Sequence, residues 1–293
     1  MTLVEPPVCE PPDRHPVEPQ MIVPAAAVDC HAHVFDPDGP SLVDPNRIYS
    51  PSVATLEQYD ELHEVLGIGH GVIVQPSIYG TDNRTTLTAV KASANRLRAV
   101  IVVDEDVNVK QLAEFHQAGA RGVRVNMLFA SSARLGNIRQ LVKTIHTLDR
   151  GWHLQILTDV SAHDGLYNFV NSLEVPVVFD HIGHMPKNTG IDNPGFQEML
   201  KLLSEGHCWV KLSAAYRITA KPELPFTDID ALAHALVAEN PERLVWGSDW
   251  PHPQFTGNMP NDGRLLDELA RWVPDDNLRN RILVENANRL YDF

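Results

Sequence analysis

The regular alternation of short apolar runs with amphipathic segments is the feature that most constrains the fold of this chain. The runs are rich in valine and isoleucine, and the segments between them carry apolar residues at i, i+3 and i+4, the spacing of a helix. Strands buried on both faces form nearly continuous apolar runs, so the alternation predicts a parallel sheet covered by helices. The predicted strands are residues 27–33, 71–77, 98–104, 122–127, 153–159, 175–181, 208–214 and 243–249.

Eight strands that alternate with helices predict a single (β/α)8 TIM barrel, a fold that typically takes about 250 residues. The alternative is an open doubly wound sheet. No G-x-G-x-x-G motif follows the first strand, so that alternative lacks its nucleotide-binding signature. We expect residues 27–293 to form the barrel and the proline-rich residues 1–26 to form an extended N-terminal arm.

Composition narrows the class of protein and its partners. The formal net charge of −14 disfavours nucleic acid as a partner, because binding a phosphate backbone needs a basic surface. We find neither the roughly 18–20 apolar residues of a membrane span nor the basic and apolar regions of a signal peptide, and we expect a cytoplasmic protein. The chain has three cysteines and no CxxC pair, which indicates reduced thiols; they are Cys9, Cys30 and Cys208. The pattern of residues on the predicted exposed faces does not distinguish a monomer from a homo-oligomer.

Ionisable side chains gather where the predicted strands end. In barrel enzymes the catalytic groups lie at the carboxyl ends of the strands. His31 and His33 end the first strand, His181 ends the sixth and Asp249 ends the eighth. Residues i and i+2 of a strand point to the same face, so both imidazoles of the first strand can share one ion or one substrate.

Two kinds of chemistry suit these four residues. Three neutral imidazoles and a carboxylate can hold one divalent first-row ion such as zinc, which lowers the pKa of a bound water to about 7. Without a metal, Asp249 can take a proton from water while the histidines stabilise the oxyanion. The structural alternative is that the histidines bond to backbone groups and that Asp249 starts a turn before Trp250.

The motifs around these residues resemble the amidohydrolase superfamily. Within it, they are similar to the branch that hydrolyses 2-pyrone-4,6-dicarboxylate and 4-sulfomuconolactone. The resemblance extends from about residue 27 to the C-terminus and implies a barrel enzyme that opens the ester bond of a small anionic lactone in aromatic-compound catabolism. The motifs are VDCHAHVFDP, VIVQPSIYGTDN, GVRVN, VVFDHIGH, VKLSAAYR, VWGSDWPHP and NANRLY.

The resemblance also implies roles for the four residues at the strand ends. His31, His33, His181 and Asp249 match the family's ligands or water-activating groups. The branch contains an enzyme considered to work without an obligatory metal and others described as zinc proteins, so it implies either one zinc ion per subunit or none. Arg124 replaces the superfamily's bridging lysine and the fifth strand lacks the family's histidine, which argues against a two-metal site.

A substrate pocket follows from the same resemblance. Arg124 and Arg217 match arginines that bind substrate carboxylates, although each can instead pair with acidic neighbours. A further arginine of the dicarboxylate hydrolases aligns with Ala130, and Arg134 is the nearest replacement, which favours a sulfonated or other lactone. The polar wall of the pocket matches Tyr49, Ser77, Tyr79 and Thr81.

Three alternative functions remain open from the sequence. Relatives with similar strand-end motifs include sugar-acid lactonases and lactone isomerases, and the superfamily also contains metal-dependent decarboxylases. A barrel that only binds a metabolite is the alternative outside enzymes. That alternative expects the loss of at least one of the four strand-end residues, and all four are present.

Overall fold

The structure is a computed structural model that describes residues 6–128 and 135–293, with the backbone alone described for residues 135–137. Ala130 and Arg134, on which the comparison with the dicarboxylate hydrolases depends, lie outside the described residues. Within the described ranges, no helix has both the length and the apolar character needed to cross a membrane.

Eight parallel strands form one sheet whose spatial order is the order of the chain. This topology confirms the predicted (β/α)8 barrel. The strands are β1 (Val28–Ala32), β2 (His70–Val74), β3 (Leu97–Ile101), β4 (Ala120–Asn126), β5 (His153–Leu157), β6 (Val177–Phe179), β7 (Cys208–Ser213) and β8 (Leu244–Gly247).

The sheet closes between β1 and the residues that follow β8. The backbone N–H of Asp249 donates to the carbonyl of His31 at 2.8 Å, and the N–H of His33 donates to the carbonyl of Trp250 at 2.8 Å. Ala32 and Trp250 form a parallel bridge between these two bonds. The hydrogen bonds that close the barrel therefore also fix the backbones of three of the four residues predicted to form the site.

Helices cover the outside of the barrel. The first begins at a capping box, in which Thr55 and Gln58 satisfy each other's backbone N–H groups, and ends at Gly67 with φ of 70°. The helices are α1 (Leu56–Leu66), α2 (Arg84–Ala92), α3 (Val109–Gln117), α4 (Leu135–Leu148), α5 (Leu166–Asn171), α6 (Pro194–Ser204), α7 (Ala215–Ile218), α8 (Asp230–Glu239), α9 (Asp262–Trp272), α10 (Asp276–Asn280) and α11 (Asn286–Tyr291).

A second apolar cluster lies apart from the main core between strands and helices. It packs valines of β1, β2, β3, β6 and β8 against Leu290 and Tyr291 of α11. Val28 and Val245 stand in the first half of their strands, whereas Val74 and Val100 stand near the carboxyl ends. The cluster therefore ties α11 to five strands of the barrel.

The described part of the N-terminal arm packs on the barrel of its own chain. Val8 forms a bridge with Ser50, and the sulfur of Cys9 accepts a hydrogen bond from the N–H of Gln254 at 3.2 Å. Further along the arm, the N–H of Val17 donates to the side chain of Asn261. The division of the chain into an arm, residues 1–26, and a barrel, residues 27–293, stays a prediction.

Several strands end earlier than the sequence predicts. Strand β6 ends at Phe179 and β8 at Gly247, whereas the predicted runs extend to residues 181 and 249. The cause is the backbone: His181 has φ of 54° and Asp249 has φ of 64°, in the left-handed region that a strand does not use. His181 and Asp249 therefore leave the strand conformation at the point where their side chains enter the barrel mouth.

We expect Gly247→Ala to destabilise the protein, because a Cβ atom at this position would lie 2.8 Å from the Cβ and the backbone nitrogen of His31. Overpacking of this kind costs about 1–3 kcal/mol. The matched control is Gly190→Ala, since nothing lies within 4 Å of a Cβ placed there. The measurement is the free energy of unfolding in urea, and equal values for the two variants would contradict the expected crowding.

Candidate active site

The four predicted strand-end residues meet at one oxygen atom. Oδ1 of Asp249 lies 3.6 Å from Nε2 of His31, 3.8 Å from Nε2 of His33 and 3.7 Å from Nε2 of His181. All four side chains are buried. The structure thus brings together residues that are far apart in the sequence, with each imidazole presenting the same nitrogen.

Two of the imidazoles are fixed through their other nitrogen. Nδ1 of His33 lies 2.7 Å from the carbonyl oxygen of Val74. A carbonyl only accepts, so Nδ1 carries the proton and Nε2 keeps a free lone pair. Nδ1 of His181 lies 2.8 Å from the hydroxyl of Ser213. Bonds of this type orient imidazoles that bind metals or act on substrates.

His31 has two opposite partners at Nδ1. The ammonium of Lys211 lies 3.2 Å away and Oδ1 of Asp180 lies 3.3 Å away. If Nδ1 donates to Asp180, Nε2 has the free lone pair that a metal needs. If Nδ1 accepts from Lys211, Nε2 carries a proton that faces Asp249. Each tautomer of His31 therefore has a partner at Nδ1. The tautomer that donates to Asp180 suits a bound metal, and the tautomer that accepts from Lys211 suits a site without a metal.

Lys211 belongs to a buried polar network beneath the cluster. Its ammonium donates to the carbonyl of Cys30 at 2.9 Å and to Oε1 of Gln155 at 2.8 Å, and it lies 3.4 Å from Asp180. Burial lowers the pKa of Lys211, and Asp180 opposes that effect. Burial would raise the pKa of Asp180, but Lys211 and His31 hold it well below its usual range. The sequence analysis missed both Lys211 and Asp180.

The second oxygen of Asp249 is held from the other side. Oδ2 accepts from the hydroxyl of Tyr216 at 2.5 Å and from Nε of Arg217 at 2.6 Å. Burial would raise the pKa of Asp249, but the guanidinium of Arg217 holds it well below its usual range. Asp249 is therefore an ionised carboxylate with one oxygen fixed and one oxygen facing the imidazoles.

Burial also lowers the pKa values of His31, His33 and His181. Asp249 raises each of these pKa values, but its effect is smaller than that of burial. The three imidazoles are neutral at neutral pH, and the neutral ring is the form that binds metal ions or stabilises an oxyanion through N–H.

A chain of buried groups continues beyond Tyr216. Its hydroxyl lies 3.0 Å from Nδ1 of His252, and Nε2 of His252 lies 3.2 Å from Oδ1 of Asp262 at the start of α9. His252, in the VWGSDWPHP motif, thus reaches the cluster through Tyr216, and the sequence analysis assigned no role to Tyr216 or Asp262. The position of Tyr216 directly before Arg217 in the AAYR stretch is the one signal that could have indicated it.

The predicted arginines occupy different places. Arg217 contacts Asp249 directly, and its Nη2 donates to the carbonyl of Pro253 at 3.0 Å. Arg124 is buried, lies 3.8 Å from Asp180 and donates to the carbonyl of Gln75 at 3.4 Å. Each arginine thus faces a buried carboxylate in the described structure, and a role in substrate binding stays a prediction for both.

The residues predicted for the polar wall are spread over the mouth of the barrel. Tyr49 is buried, which raises its pKa to about 12, and Ser77 opposes that effect. Ser77 and Thr81 are exposed. Tyr79 is buried and its hydroxyl donates to the carbonyl of Asp36 at 3.5 Å. The hydrogen bond of Tyr79 therefore ties two loops together and does not reach Asp249.

The cluster has the composition and size of a site for one metal ion. His31, His33 and Asp249 offer ligand atoms within 4.8 Å of one another, and Nε2 of His31 is buried without a hydrogen-bond partner. Ligand atoms of a tetrahedral zinc site, with bonds of about 2.0–2.2 Å, lie roughly 3.3–3.6 Å apart. The observed separations from Oδ1 of Asp249, 3.6–3.8 Å, need only a small contraction.

A closed (β/α)8 barrel with three imidazoles and a carboxylate at its mouth defines a class of barrel enzymes, and comparisons with known proteins identify the family. The family model described as Amidohydrolase matches residues 28–293. The chain therefore belongs to the amidohydrolase family.

The relatives are similar over nearly the whole chain. A 2-pyrone-4,6-dicarboxylate hydrolase of Comamonas testosteroni is 33% identical over 287 residues, which cover 94% of this chain and 93% of the relative. A 4-sulfomuconolactone hydrolase of Hydrogenophaga intermedia is 34% identical over 294 residues, which cover 97% and 95%. An Agrobacterium tumefaciens protein, whose crystal structure was solved in the apo form, is 29% identical in sequence. The two structures superpose with a TM-score of 0.81, and the match covers 94% of this chain and 98% of the other.

We expect Lys211→Met to lower the free energy of unfolding by about 3–5 kcal/mol, because the buried carboxylate of Asp180 loses the ammonium 3.4 Å away and keeps only the more distant Arg124. The double variant Lys211→Met/Asp180→Asn removes both charges and should recover part of that loss. Urea unfolding of the two variants and the unchanged protein measures the difference. A single variant as stable as the unchanged protein would show that Lys211 does not balance Asp180.

Proposed function

We propose that this chain is a carboxylic-ester hydrolase that opens a small anionic lactone of the 2-pyrone-4,6-dicarboxylate or 4-sulfomuconolactone type, in the catabolism of aromatic compounds. The observation that carries the proposal is the state of Asp249: Oδ2 is fixed by Tyr216 and Arg217, while Oδ1 faces three imidazoles. The activities for which the two relatives are named support the choice of a lactone.

The proposed reaction starts with a water molecule next to Oδ1 of Asp249. The carboxylate takes a proton from this water, and the hydroxide that forms attacks the lactone carbonyl. His31 and His181 carry a proton on Nε2 when their Nδ1 atoms accept from Lys211 and Ser213, and these N–H groups stabilise the negative charge that develops on the carbonyl oxygen. Protonated Asp249 then returns the proton to the ring oxygen as the ester bond breaks. Where the ring carbon is unsaturated, the leaving group is an enolate, which departs easily.

We propose that His31, His33, His181 and Asp249 hold one divalent ion, with zinc as the first choice. When bound, such an ion lowers the pKa of water towards about 7 and polarises a carbonyl. The low pKa of Asp249 supports this assignment. A weakly basic carboxylate accepts a proton readily only from a water that is more acidic than bulk water.

Recognition of the substrate is assigned to the polar groups around the cluster. Arg124 and Arg217 hold the acidic group of the lactone, because a guanidinium can form two parallel hydrogen bonds with a carboxylate or sulfonate. Tyr49, Ser77 and Tyr79 contribute the polar wall, together with Thr81. A cytoplasmic location and a homo-oligomer also stay predictions.

The test of the function is a hydrolysis screen in weak buffer with a pH indicator, with and without added zinc. The substrates are pyrone dicarboxylate, sulfomuconolactone, muconolactone and several aldonolactones. Turnover confined to the anionic unsaturated lactones supports the proposal, and the comparison with and without zinc determines how water is activated. Turnover of aldonolactones alone would replace the proposal with a sugar-acid lactonase.

Asp249→Asn should lower kcat by about 10²–10⁴-fold, because the amide cannot take the proton from water. Circular dichroism and the free energy of unfolding show separately whether the variant folds. Asp230→Asn is the control: it removes a carboxylate that pairs with Arg271 outside the cluster, and kcat should not change. A folded Asp249→Asn variant that retains full turnover would exclude Asp249 as the base.

Tyr216→Phe should lower kcat about tenfold with little change in KM, because Asp249 loses one of the two donors that fix Oδ2. Tyr59→Phe is the matched control, since Tyr59 is another buried tyrosine whose hydroxyl donates to a carboxylate, that of Asp29 at 3.1 Å. Both variants lose one buried hydrogen bond, worth about 1–3 kcal/mol. Equal effects of the two substitutions on kcat would assign Tyr216 a purely structural role.

A further inference from the structure

A cavity of about 480 Å³ opens beside Arg217 at the mouth of the barrel. Its walls come from the segments that follow β6, β7 and β8, so it lies next to the cluster of imidazoles without including them. The volume is within the roughly 300–1,000 Å³ of small-molecule sites. The lining residues are His184, Lys187, Tyr216, Arg217, Lys221, Pro222, Gln254, Phe255, Thr256, Gly257 and Asn258.

The charge of this cavity is opposite to that of the chain. Lys187, Arg217 and Lys221 line it, and none of its lining residues is an aspartate or glutamate. The whole chain carries a formal net charge of −14. Walls of one charge sign in a concave site concentrate ligands of the opposite sign, so the local chemistry selects an anion against the field of the protein.

The two lysines provide the positive charge that is not already balanced. Arg217 faces the cavity but also pairs with Asp249 at 2.6 Å. Among the residues that the structure describes, Lys187 and Lys221 form no ion pair with a carboxylate. Besides Asp249, two acidic side chains lie at the edge of the lining: Glu223 accepts a hydrogen bond from Asn258 at 3.3 Å, and Asp228, whose pKa Lys221 helps to lower, accepts one from the backbone N–H of Ala220 at 2.7 Å.

The remaining walls indicate the size and shape of the anion. The amides of Gln254 and Asn258 and the hydroxyl of Thr256 can donate to oxygen atoms. Phe255 packs edge-on against Tyr216, with ring centroids 4.8 Å apart, and gives the cavity an apolar surface. A flat ring that carries a carboxylate or sulfonate matches this combination of donors and aromatic surface.

We propose that this cavity is an anion subsite for the acidic substituent that the lactone carries away from its reacting ester. Lys187 and Lys221 bind the substituent. Arg217 lines the subsite and at the same time pairs with Asp249. The proposal rests on the proposed lactone hydrolysis and deepens it. It places the substituent towards the segments after β6 and β7, on the far side of Arg217 from Asp249.

The first experiment measures binding without turnover. Isothermal titration uses 4-sulfobenzoate, which has no ester, with benzoate and benzenesulfonate to distinguish the carboxylate from the sulfonate. The protein variant is Lys187→Gln/Lys221→Gln, and the matched control is Lys91→Gln/Lys110→Gln, which removes two exposed lysines of α2 and α3. We expect the first variant to weaken binding about tenfold or more, as loss of charge-assisted hydrogen bonds does, and the control to bind as before.

The second experiment measures kinetics with a charged and an uncharged substrate. For sulfomuconolactone, Lys187→Gln/Lys221→Gln should raise KM about tenfold and leave kcat within about twofold. For δ-valerolactone, which has no acidic group, both constants should stay unchanged. Equal effects of the double substitution on the two lactones would overturn the subsite. An unchanged KM for sulfomuconolactone together with unchanged binding of 4-sulfobenzoate would overturn it as well.

The two proposals fail in different ways. Lysine-dependent binding of 4-sulfobenzoate without hydrolysis of any lactone would overturn the proposed function and keep the anion subsite. Hydrolysis of anionic lactones that does not depend on Lys187 and Lys221 would keep the function and overturn the subsite.

Discussion

The ion pair between the partly buried Arg217 and the buried Asp249 is the interaction on which the site depends. Two charges removed from water gain little net stability from each other, so such a pair is better explained by the geometry that it imposes. Here Arg217 and Tyr216 fix one oxygen of the carboxylate, and the other oxygen remains next to the imidazoles. The same pairing lowers the pKa of Asp249 and keeps it ionised, the state that the proposed roles of ligand and proton acceptor both need.

The fold places this carboxylate through the hydrogen bonds that close the barrel. Asp249 follows β8, and its backbone bonds to His31 at the end of β1. The left-handed backbones of His181 and Asp249 cost energy, since residues with a Cβ atom disfavour positive φ. Such conformations persist where surrounding structure determines them, and here the closing bonds and the partners of Asp249 do so. Stability of the barrel and precision of the site therefore depend on the same few contacts.

The sequence was sufficient for the barrel, which follows from periodicity, and position along a strand was enough to select four residues that the structure brings together, although their role in the reaction stays a prediction. It was not sufficient for the groups that support them. Lys211 lies between apolar residues of β7, and a lysine is normally expected at a surface, so only the three-dimensional contacts with Gln155 and Asp180 explain it. Asp262 begins a helix, where an acidic residue is common for local reasons, and its proximity to His252 depends on packing.

Charge balance decides which cations are available to an anionic substrate. The two arginines at the strand ends each face a buried carboxylate: the buried Arg124 lies near Asp180, and the partly buried Arg217 pairs with Asp249. An arriving acid must compete with these carboxylates for the guanidinium groups. Among the described residues, the lysines at the rim of the cavity beside Arg217 form no ion pair with a carboxylate, although Lys221 helps to lower the pKa of Asp228. In an acidic chain, such a positive rim favours entry of an anion. In the proposed subsite the lysines therefore add to the binding by Arg124 and Arg217, and less of that binding has to come at the expense of the Arg217–Asp249 pair.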